Sequence, residues 1–260
     1  MTDILLDFSG RVARITINRP ERHNALDIAM IDAFHDALDK VAANKEARVL
    51  QIRARGASFC AGADINWMRR MAEYDAASNI ADARRLAGLF EKIAFLPLPT
   101  ICAVNGPAYG GGIGIVAACD FALAAPNADF VLSEVKLGLI PAVISPHIIR
   151  AVGAHAAKRL FLSGRKFGAE EAERLGLLAQ IVAAEELDAA TDALTRQLLE
   201  NAPEAMAAAK ELVQFVASKP LGREVIDGTA DRIATRRASA EGKEGLTAFL
   251  EKRMPAWRKE

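Results

Sequence analysis

A run of three glycines near the middle of the chain could bind a negatively charged group. Gly110, Gly111 and Gly112 lie between an apolar segment, TICAVNG, and an apolar helical pattern, GGIGIVAACD. Glycine allows backbone conformations closed to other residues and lets a ligand approach the main chain. The unpaired N–H groups at the start of the following helix would stabilise a developing oxyanion. A tight strand–helix crossing, in which the glycines serve only packing, is the alternative.

A second loop of small residues, FCAGAD at positions 59–64, also follows a predicted strand. The two loops together are the places where we expect chemistry. Other phosphate-binding and nucleophile motifs do not fit, because the glycines lack the GxGxxG register and are not followed by GK[ST]. No GxSxG nucleophile elbow is present either.

Glu134 is a candidate for acid–base chemistry. It lies in FVLSEVKLGLIPAVISP, between a β-like segment and a loop with glycine and proline, beside Leu132, Val135 and Leu137. Apolar surroundings raise the pKa of a carboxyl group and suit it to exchange protons near neutral pH. A surface ion pair with Lys136 or with an arginine is the alternative.

The elements that must position these residues are strands and helices in the first part of the chain and helices alone after about residue 146. The patterns predict a hairpin over 4–18, helices over 25–43 and 81–95, strands over 49–54 and 100–106, and a helix at 111–120. Two short strands, FALAA and ADFVLS, follow. The order predicts an α/β core over residues 1–195 and a C-terminal helical module over residues 196–260.

Composition narrows the class of protein. The chain has 260 residues, and Lys+Arg and Asp+Glu both number 33, so nothing in the net charge favours nucleic acid or an anionic membrane. The 3 cysteines form no CxxC pair, and we expect no bound metal. The start, MTDILLDFSG, lacks the basic and apolar regions of a signal peptide, so we expect a cytoplasmic protein.

Six collinear motifs resemble the crotonase (enoyl-CoA hydratase/isomerase) superfamily over essentially the whole chain. They are NRPERHNAL, FCAGADINWM, AVNGPAYGGGIGIVAACD, SEVKLGLIPAVISP, FLSGRKFGAEEAERLGLL and FLEKRMPAW. The closest resemblance in motifs is to bacterial methylglutaconyl-CoA hydratases. The resemblance implies an α/β fold, a spiral of ββα units with a C-terminal helical trimerisation module. It also implies a homotrimer or a dimer of trimers.

The resemblance implies roles for individual residues. The backbone N–H groups of Ala63 and Gly111 would bind the thioester oxygen, and Glu134 would be the acid–base group. Coenzyme A is then part of the substrate, and no other cofactor is expected. The residues implied to contact the substrate or its coenzyme A are Arg22, Ala25, Leu26, Ala61, Asp64, Ile65, Tyr109, Gly110, Gly114, Pro141, Phe249 and Lys252.

One departure leaves the reaction open. The best-known hydratases carry a further glutamate a few residues after the glycines, and that position is Gly114 here. We expect hydration of a branched or dicarboxylic enoyl-CoA, 3-methylglutaconyl-CoA first. The alternative is an isomerase that uses Glu134 alone. A relative that binds acyl-CoA or RNA without catalysis is a further possibility. A distal carboxylate would need a cation, for which the candidates are Arg69, Arg70, Lys136 and His147.

Overall fold

A computed structural model describes residues 2–258. Within this range the strands are β1 (Ile4–Ser9), β2 (Val12–Ile17), β3 (Val49–Ala54), β4 (Thr100–Val104), β5 (Ala108–Tyr109), β6 (Phe121–Ala124), β7 (Asp129–Val131), β8 (Lys166–Gly168) and β9 (Gln180–Ile181). The α-helices are α1 (Ile28–Ala43), α2 (Ile65–Met71), α3 (Ala76–Phe95), α4 (Gly111–Ala118), α5 (Ser145–Ser163), α6 (Ala169–Leu175), α7 (Leu187–Leu199), α8 (Pro203–Ala217), α9 (Arg223–Ala238) and α10 (Ala240–Leu250).

The main sheet has six strands in the order β1-β2-β3-β4-β6-β9. The predicted hairpin is confirmed, since β1 and β2 pair antiparallel around a turn in which Gly10 has a φ of 55°. All the other neighbouring strands of this sheet run parallel. The loops that follow β3 and β4 therefore leave the sheet at the same edge, and these loops contain FCAGAD and the three glycines.

A smaller sheet, in the order β5-β7-β8, receives those loops. Two parallel bridges extend it, one between Cys60 and Ala108 and one between Leu26 and Ala63. The segment before α1, the FCAGAD loop and the start of the glycine turn thus lie side by side. This pairing fixes the backbone of the FCAGAD loop against two neighbours.

Both faces of the main sheet are covered. One face packs on α1, α3 and α4 in the larger apolar core, to which Phe34 and Phe90 belong. Helix α7 closes the other face, where Leu187 and Leu198 pack with Val49. The predicted boundary between residues 195 and 196 lies within α7. Helices α8 to α10 bury few side chains of their own and surround a cavity of about 720 Å³.

Several boundaries differ from the sequence prediction. Helix α1 begins at Ile28 instead of 25 because Asp27 caps it, and α3 begins at Ala76 instead of 81 because Asp75 caps it. Residues 65–71 form a helix that the pattern did not predict. Strands β8 and β9 interrupt the region predicted to be helical, since strands of 3 and 2 residues are too short to show a periodicity. Across residues 2–258 no helix is long and apolar enough to cross a membrane.

Candidate active site

Two backbone N–H groups remain without an acceptor where the two loops of small residues meet. The Leu26 N–H donates to the Gly62 carbonyl O at 2.6 Å, and the Leu26 carbonyl O accepts from the Asp64 N–H at 2.8 Å. The intervening N–H of Ala63 therefore points away from Leu26. Gly111 begins α4, where N–H groups have no intrahelical acceptor. Within residues 2–258 neither the Ala63 N–H nor the Gly111 N–H donates a hydrogen bond.

Glycine brings these two loops into contact. Gly62 and Gly110 have positive φ values of 88° and 46°, which L side chains rarely adopt. A Cβ on Gly62 would lie 3.2 Å from the carbonyl O of Tyr109, and one on Gly110 would lie 4.0 Å from the Cα of Gly62. A Cβ on Gly111 would lie 2.8 Å from Cδ1 of Leu26. A side chain at Gly62 or Gly110 would strain the backbone, and at Gly62 it would also press against the neighbouring loop.

Glu134 faces the same glycine turn. It begins a single 3₁₀ turn, Glu134–Leu137, after β7, and its Oε1 lies 3.5 Å from the Cβ position of Gly110. Its Oε2 is buried and has no hydrogen-bond partner among the described residues. Burial raises the pKa of this carboxyl group above its ordinary value, as its apolar neighbours predicted.

Glu134 and Lys136 do not form the surface ion pair that was the alternative. Lys136 is exposed, and its Cε lies 3.1 Å from the Cβ position of Gly164. A buried carboxylate oxygen without a partner costs free energy, so its retention calls for another explanation than stability. A group that exchanges protons with a ligand is one such explanation.

Apolar side chains fill the space beside Gly114, the position at which the best-known hydratases carry a further glutamate. A Cβ on Gly114 would lie 2.5 Å from Cγ2 of Ile144 and 2.7 Å and 2.8 Å from Cε1 and Cζ of Phe90. Phe90 and Ile144 are both buried. The described part of the site therefore presents one carboxylate, Glu134, and an apolar wall over Gly114.

A buried hydrogen-bond network holds the segment that contains Leu26. Asn24 has a φ of 56°, and its Oδ1 accepts from the Arg19 N–H at 2.8 Å. Its Nδ2 donates to the carbonyl O atoms of Arg55 and Ser58, each at 2.8 Å. These bonds join the segment to the loop after β3, so Asn24 positions Leu26 against the FCAGAD loop.

The residues implied to contact coenzyme A fall into two groups, and most lie beside the two loops. Arg22 is half-exposed, and its Nη1 lies 3.1 Å from Oδ2 of Asp64. Asp64 also caps α2 by accepting from the N–H groups of Asn66 and Trp67. Burial by itself would raise the pKa of Asp64, but these hydrogen bonds hold that pKa below its ordinary value. The others lie on these loops or next to them: Ala25 and Leu26 before α1, Ala61 in the FCAGAD loop, Ile65 at the start of α2, Tyr109 at the end of β5, Gly110 in the glycine turn, Gly114 within α4, and Pro141 in the loop after Glu134–Leu137.

Phe249 and Lys252 form the second group and lie elsewhere. Phe249 is 80% exposed, and no contact within residues 2–258 joins it or Lys252 to Glu134. Trp257 follows them in the chain, and its carbonyl O accepts hydrogen bonds from Arg11 at 2.9 Å and from Arg48 at 3.1 Å. Those arginines precede β2 and β3, at the edge of the sheet opposite the glycine turn. The resemblance implies that Phe249 and Lys252 approach the nucleotide bound by a neighbouring subunit, and this role stays a prediction.

The four cations predicted for a distal carboxylate are dispersed. Arg69 and Arg70 are exposed on α2, and Lys136 points toward Gly164. His147 packs edge-on against Phe90, with 6.1 Å between ring centroids. Burial and the nearby Arg150 lower the His147 pKa, although Glu91 opposes this. Phe90 therefore stands between His147 and Gly114.

Sequence reasoning missed three residues of this site: Asn24, Phe90 and Ile144. Asn24 lies in the motif NRPERHNAL, whose first residues are themselves mostly polar, so membership of the motif was the only signal available for it. Phe90 and Ile144 gave no signal, because Phe90 reads as one more core residue of a helix and Ile144 as one apolar residue of the loop before a helix. The described residues contain no group of three potential metal ligands.

Comparisons with known proteins show which family the chain resembles over its length. Residues 7–260 match the family described as enoyl-CoA hydratase/isomerase. A putative enoyl-CoA hydratase of Thermus thermophilus is 38% identical over 95% of this chain and 97% of its own. A 2,3-dehydroadipyl-CoA hydratase of Escherichia coli is 31% identical over 98% of both. The solved structure of an enoyl-CoA hydratase from Shewanella pealeana superimposes with a TM-score of 0.96 at 42% identity, covering 98% and 96% of the two chains.

Proposed function

The chain belongs to the enoyl-CoA hydratase/isomerase family and has the crotonase fold, and we propose that it hydrates a branched or dicarboxylic 2-enoyl-CoA. The observation that carries this is the carboxylate of Glu134, whose Oε2 is buried without a partner and which faces the glycine turn beside the free N–H groups of Ala63 and Gly111. We take 3-methylglutaconyl-CoA as the first substrate to test. The relative named as a hydratase of 2,3-dehydroadipyl-CoA, a dicarboxylic thioester, supports that class.

In this proposal the N–H groups of Ala63 and Gly111 bind the thioester oxygen. Addition of water at C3 moves negative charge onto that oxygen as the enolate forms. Donors fixed by the backbone stabilise the enolate more than the neutral carbonyl, which is the difference that accelerates a reaction. Loss of one such donor typically lowers the rate by about 10²–10³.

Glu134 carries the proton. As the carboxylate it accepts a proton from water while the water oxygen bonds to C3, and as the acid it returns a proton to C2 of the enolate. The net result is OH at C3 and H at C2. The raised pKa of Glu134 suits both steps, because the carboxylate is a better base when burial destabilises its charge.

A second candidate is isomerisation of a 3-enoyl-CoA. The observation that favours it is the apolar filling over Gly114, which leaves a single carboxylate. One base can remove a proton from C2 and return it to C4, with no water consumed. The same two N–H groups would stabilise the dienolate.

Coenzyme A is proposed to lie along the FCAGAD loop, near the exposed face of Arg22. Ala25, Ala61, Ile65, Tyr109 and Pro141 are the other proposed contacts from this chain. Phe249 and Lys252 would reach the nucleotide from a neighbouring copy, in a homotrimer or a dimer of trimers.

The test is turnover of purified protein with 3-methylglutaconyl-CoA, crotonyl-CoA and a 3-enoyl-CoA. Mass spectrometry separates a product heavier by one water from an isomer of unchanged mass. We expect the hydrated product, and Glu134→Gln should lower kcat by about 10²–10⁴ with coenzyme A binding intact. Isomerisation without hydration would replace the first proposal by the second. Near-normal turnover by Glu134→Gln would contradict both.

A further inference from the structure

We infer that Gly164, the residue that follows α5, is a positioning residue for Glu134, because its lack of a side chain leaves the turn that carries Glu134 in place. The inference rests on the proposed function in taking Glu134 as the acid–base group. It also gives a role to the motif FLSGRKFGAEEAERLGLL, which contains Gly164 and supplies none of the groups proposed to touch the substrate.

Gly164 lies against the chain on both sides of Glu134. A Cβ on Gly164 would lie 3.5 Å from the carbonyl O of Leu132, 3.3 Å from Cγ2 of Val135 and 3.1 Å from Cε of Lys136. Leu132 precedes Glu134 by two residues, and Val135 and Lys136 are the two residues that follow it. Gly164 is buried, so a side chain there has no solvent to turn into and would press on this turn.

Gly164 also ends α5, and that role alone would explain a glycine. Its φ of 53° is left-handed, and its N–H donates to the carbonyl O of Leu160 at 3.1 Å, which is a common way for a helix to end. Gly176 ends α6 in the same conformation, with a φ of 88°. A Cβ on Gly176 would lie 3.0 Å from the carbonyl O of Ala151, and the described residues place no part of the Glu134 turn within 4 Å of it. The two glycines therefore differ in what they touch.

Strand β8, which begins two residues after Gly164, holds the strand that leads to the turn. Strands β7 and β8 pair antiparallel, and the rings of Phe130 and Phe167 stack with 5.4 Å between centroids. On the other side of β7, the carbonyl O of Val131 accepts from the Gly110 N–H at 3.0 Å. Because the sheet holds β7 itself, a side chain at position 164 would displace the turn beyond it, and Glu134 with that turn.

The expected displacement is small, but proton transfer is sensitive to it. Contacts of 3.1–3.3 Å oblige the neighbouring atoms to give by a few tenths of an ångström. Cε of Lys136 is near the end of a flexible side chain and moves readily, whereas Val135 is branched at Cβ and moves with its backbone. A misplacement of about 1 Å can cost about 10²-fold in rate, so a few tenths should lower kcat by roughly 3- to 10-fold.

The test compares asparagine at the two glycines that end helices. Asparagine accepts the left-handed conformation better than other side chains do, so Gly164→Asn and Gly176→Asn both keep the backbone and add a side chain. Gly164→Asn should lower kcat by about tenfold and leave KM within about twofold, because the coenzyme A contacts do not change. Gly176→Asn should keep the wild-type kcat and KM. Gly164→Ala adds only the Cβ, should lose less kcat, and serves if Gly164→Asn does not fold.

A rescue variant separates positioning from a general loss of stability. Val135→Ala removes Cγ2, the atom that the new Cβ would press on at 3.3 Å. Gly164→Asn combined with Val135→Ala should therefore recover part of the lost kcat. If Gly164→Asn only destabilised the fold, the loss of packing at Val135 would lower the activity further.

Equal losses of kcat in the two asparagine variants would overturn the inference, and so would a wild-type kcat in Gly164→Asn, a rise in KM alone, or no recovery in the double variant. If the wild type turns over no enoyl-CoA, the proposed function is contradicted, and crystal structures of the two asparagine variants then decide. Oε1 of Glu134 should shift relative to Gly110 in Gly164→Asn and not in Gly176→Asn. An unshifted Glu134 in Gly164→Asn would overturn the inference.

Discussion

Replacing Gly114 by alanine should destabilise the protein although it removes a glycine from a helix. Glycine in a helix interior is about 0.8–1.0 kcal/mol less favourable than alanine, so the exchange alone would stabilise α4. The new Cβ, however, would lie within 2.5–2.8 Å of Ile144 and the Phe90 ring, which are both buried. Such overpacking typically costs about 1–3 kcal/mol, so we expect a net loss of up to about 2 kcal/mol.

The matched control is Gly88→Ala in α3. A Cβ there would meet Cε1 of His35 at 3.5 Å, an ordinary contact, so this variant should gain up to about 1 kcal/mol. Urea denaturation of both variants, followed by circular dichroism, measures the free energies of unfolding. Gly114→Ala combined with Phe90→Leu should lose less than the two single variants added together, because the shorter side chain admits the Cβ.

The reasoning is refuted if Gly114→Ala raises the free energy of unfolding as Gly88→Ala does. It is also refuted if the double variant is strictly additive. Either result would mean that Phe90 and Ile144 do not fill the place of the missing carboxylate, and that a glutamate could be restored there by one substitution.

Two further predictions concern ionisation and positioning. Since burial raises the pKa of Glu134, its native carboxyl binds a proton more tightly than in the unfolded chain, and stability falls as pH rises from the ordinary Glu value through the raised one. Denaturant titrations from pH 4 to 8 measure this, and the free energy of unfolding of Glu134→Gln minus that of wild type should increase with pH across that window. A difference that does not change with pH would contradict the raised pKa. Turnover should fall at pH values below the raised pKa, where the carboxylate is protonated. Asn24→Ala leaves the Arg19 N–H and the Ser58 carbonyl unpaired inside the protein and removes the partly buried bond to the Arg55 carbonyl. We therefore expect a loss of about 2–4 kcal/mol and a raised KM, and a change below about 0.5 kcal/mol would disprove the positioning role.

Local features of the sequence predicted much of the site. The hairpin follows from alternating apolar residues, and the strand before the glycine turn and α4 follow from two continuous apolar segments separated by glycine. The apolar neighbours of Glu134 predicted its raised pKa, and the structure confirms that direction. The sequence alone also showed that position 114 carries no carboxylate, because this depends on the identity of one residue in a motif.

Tertiary structure alone decided what stands in that carboxylate's place. Phe90 and Ile144 belong to α3 and to the N-terminus of α5, and no local pattern relates either residue to Gly114. Similarly, two free N–H groups became a pair only because bridges between distant segments align Ala63 with Leu26 and Cys60 with Ala108. Backbone conformation is set largely by neighbours in sequence, whereas the occupancy of a volume is set by helices that meet across the core. The sequence therefore determined which groups could react, and packing determined the shape of the space in which they do so.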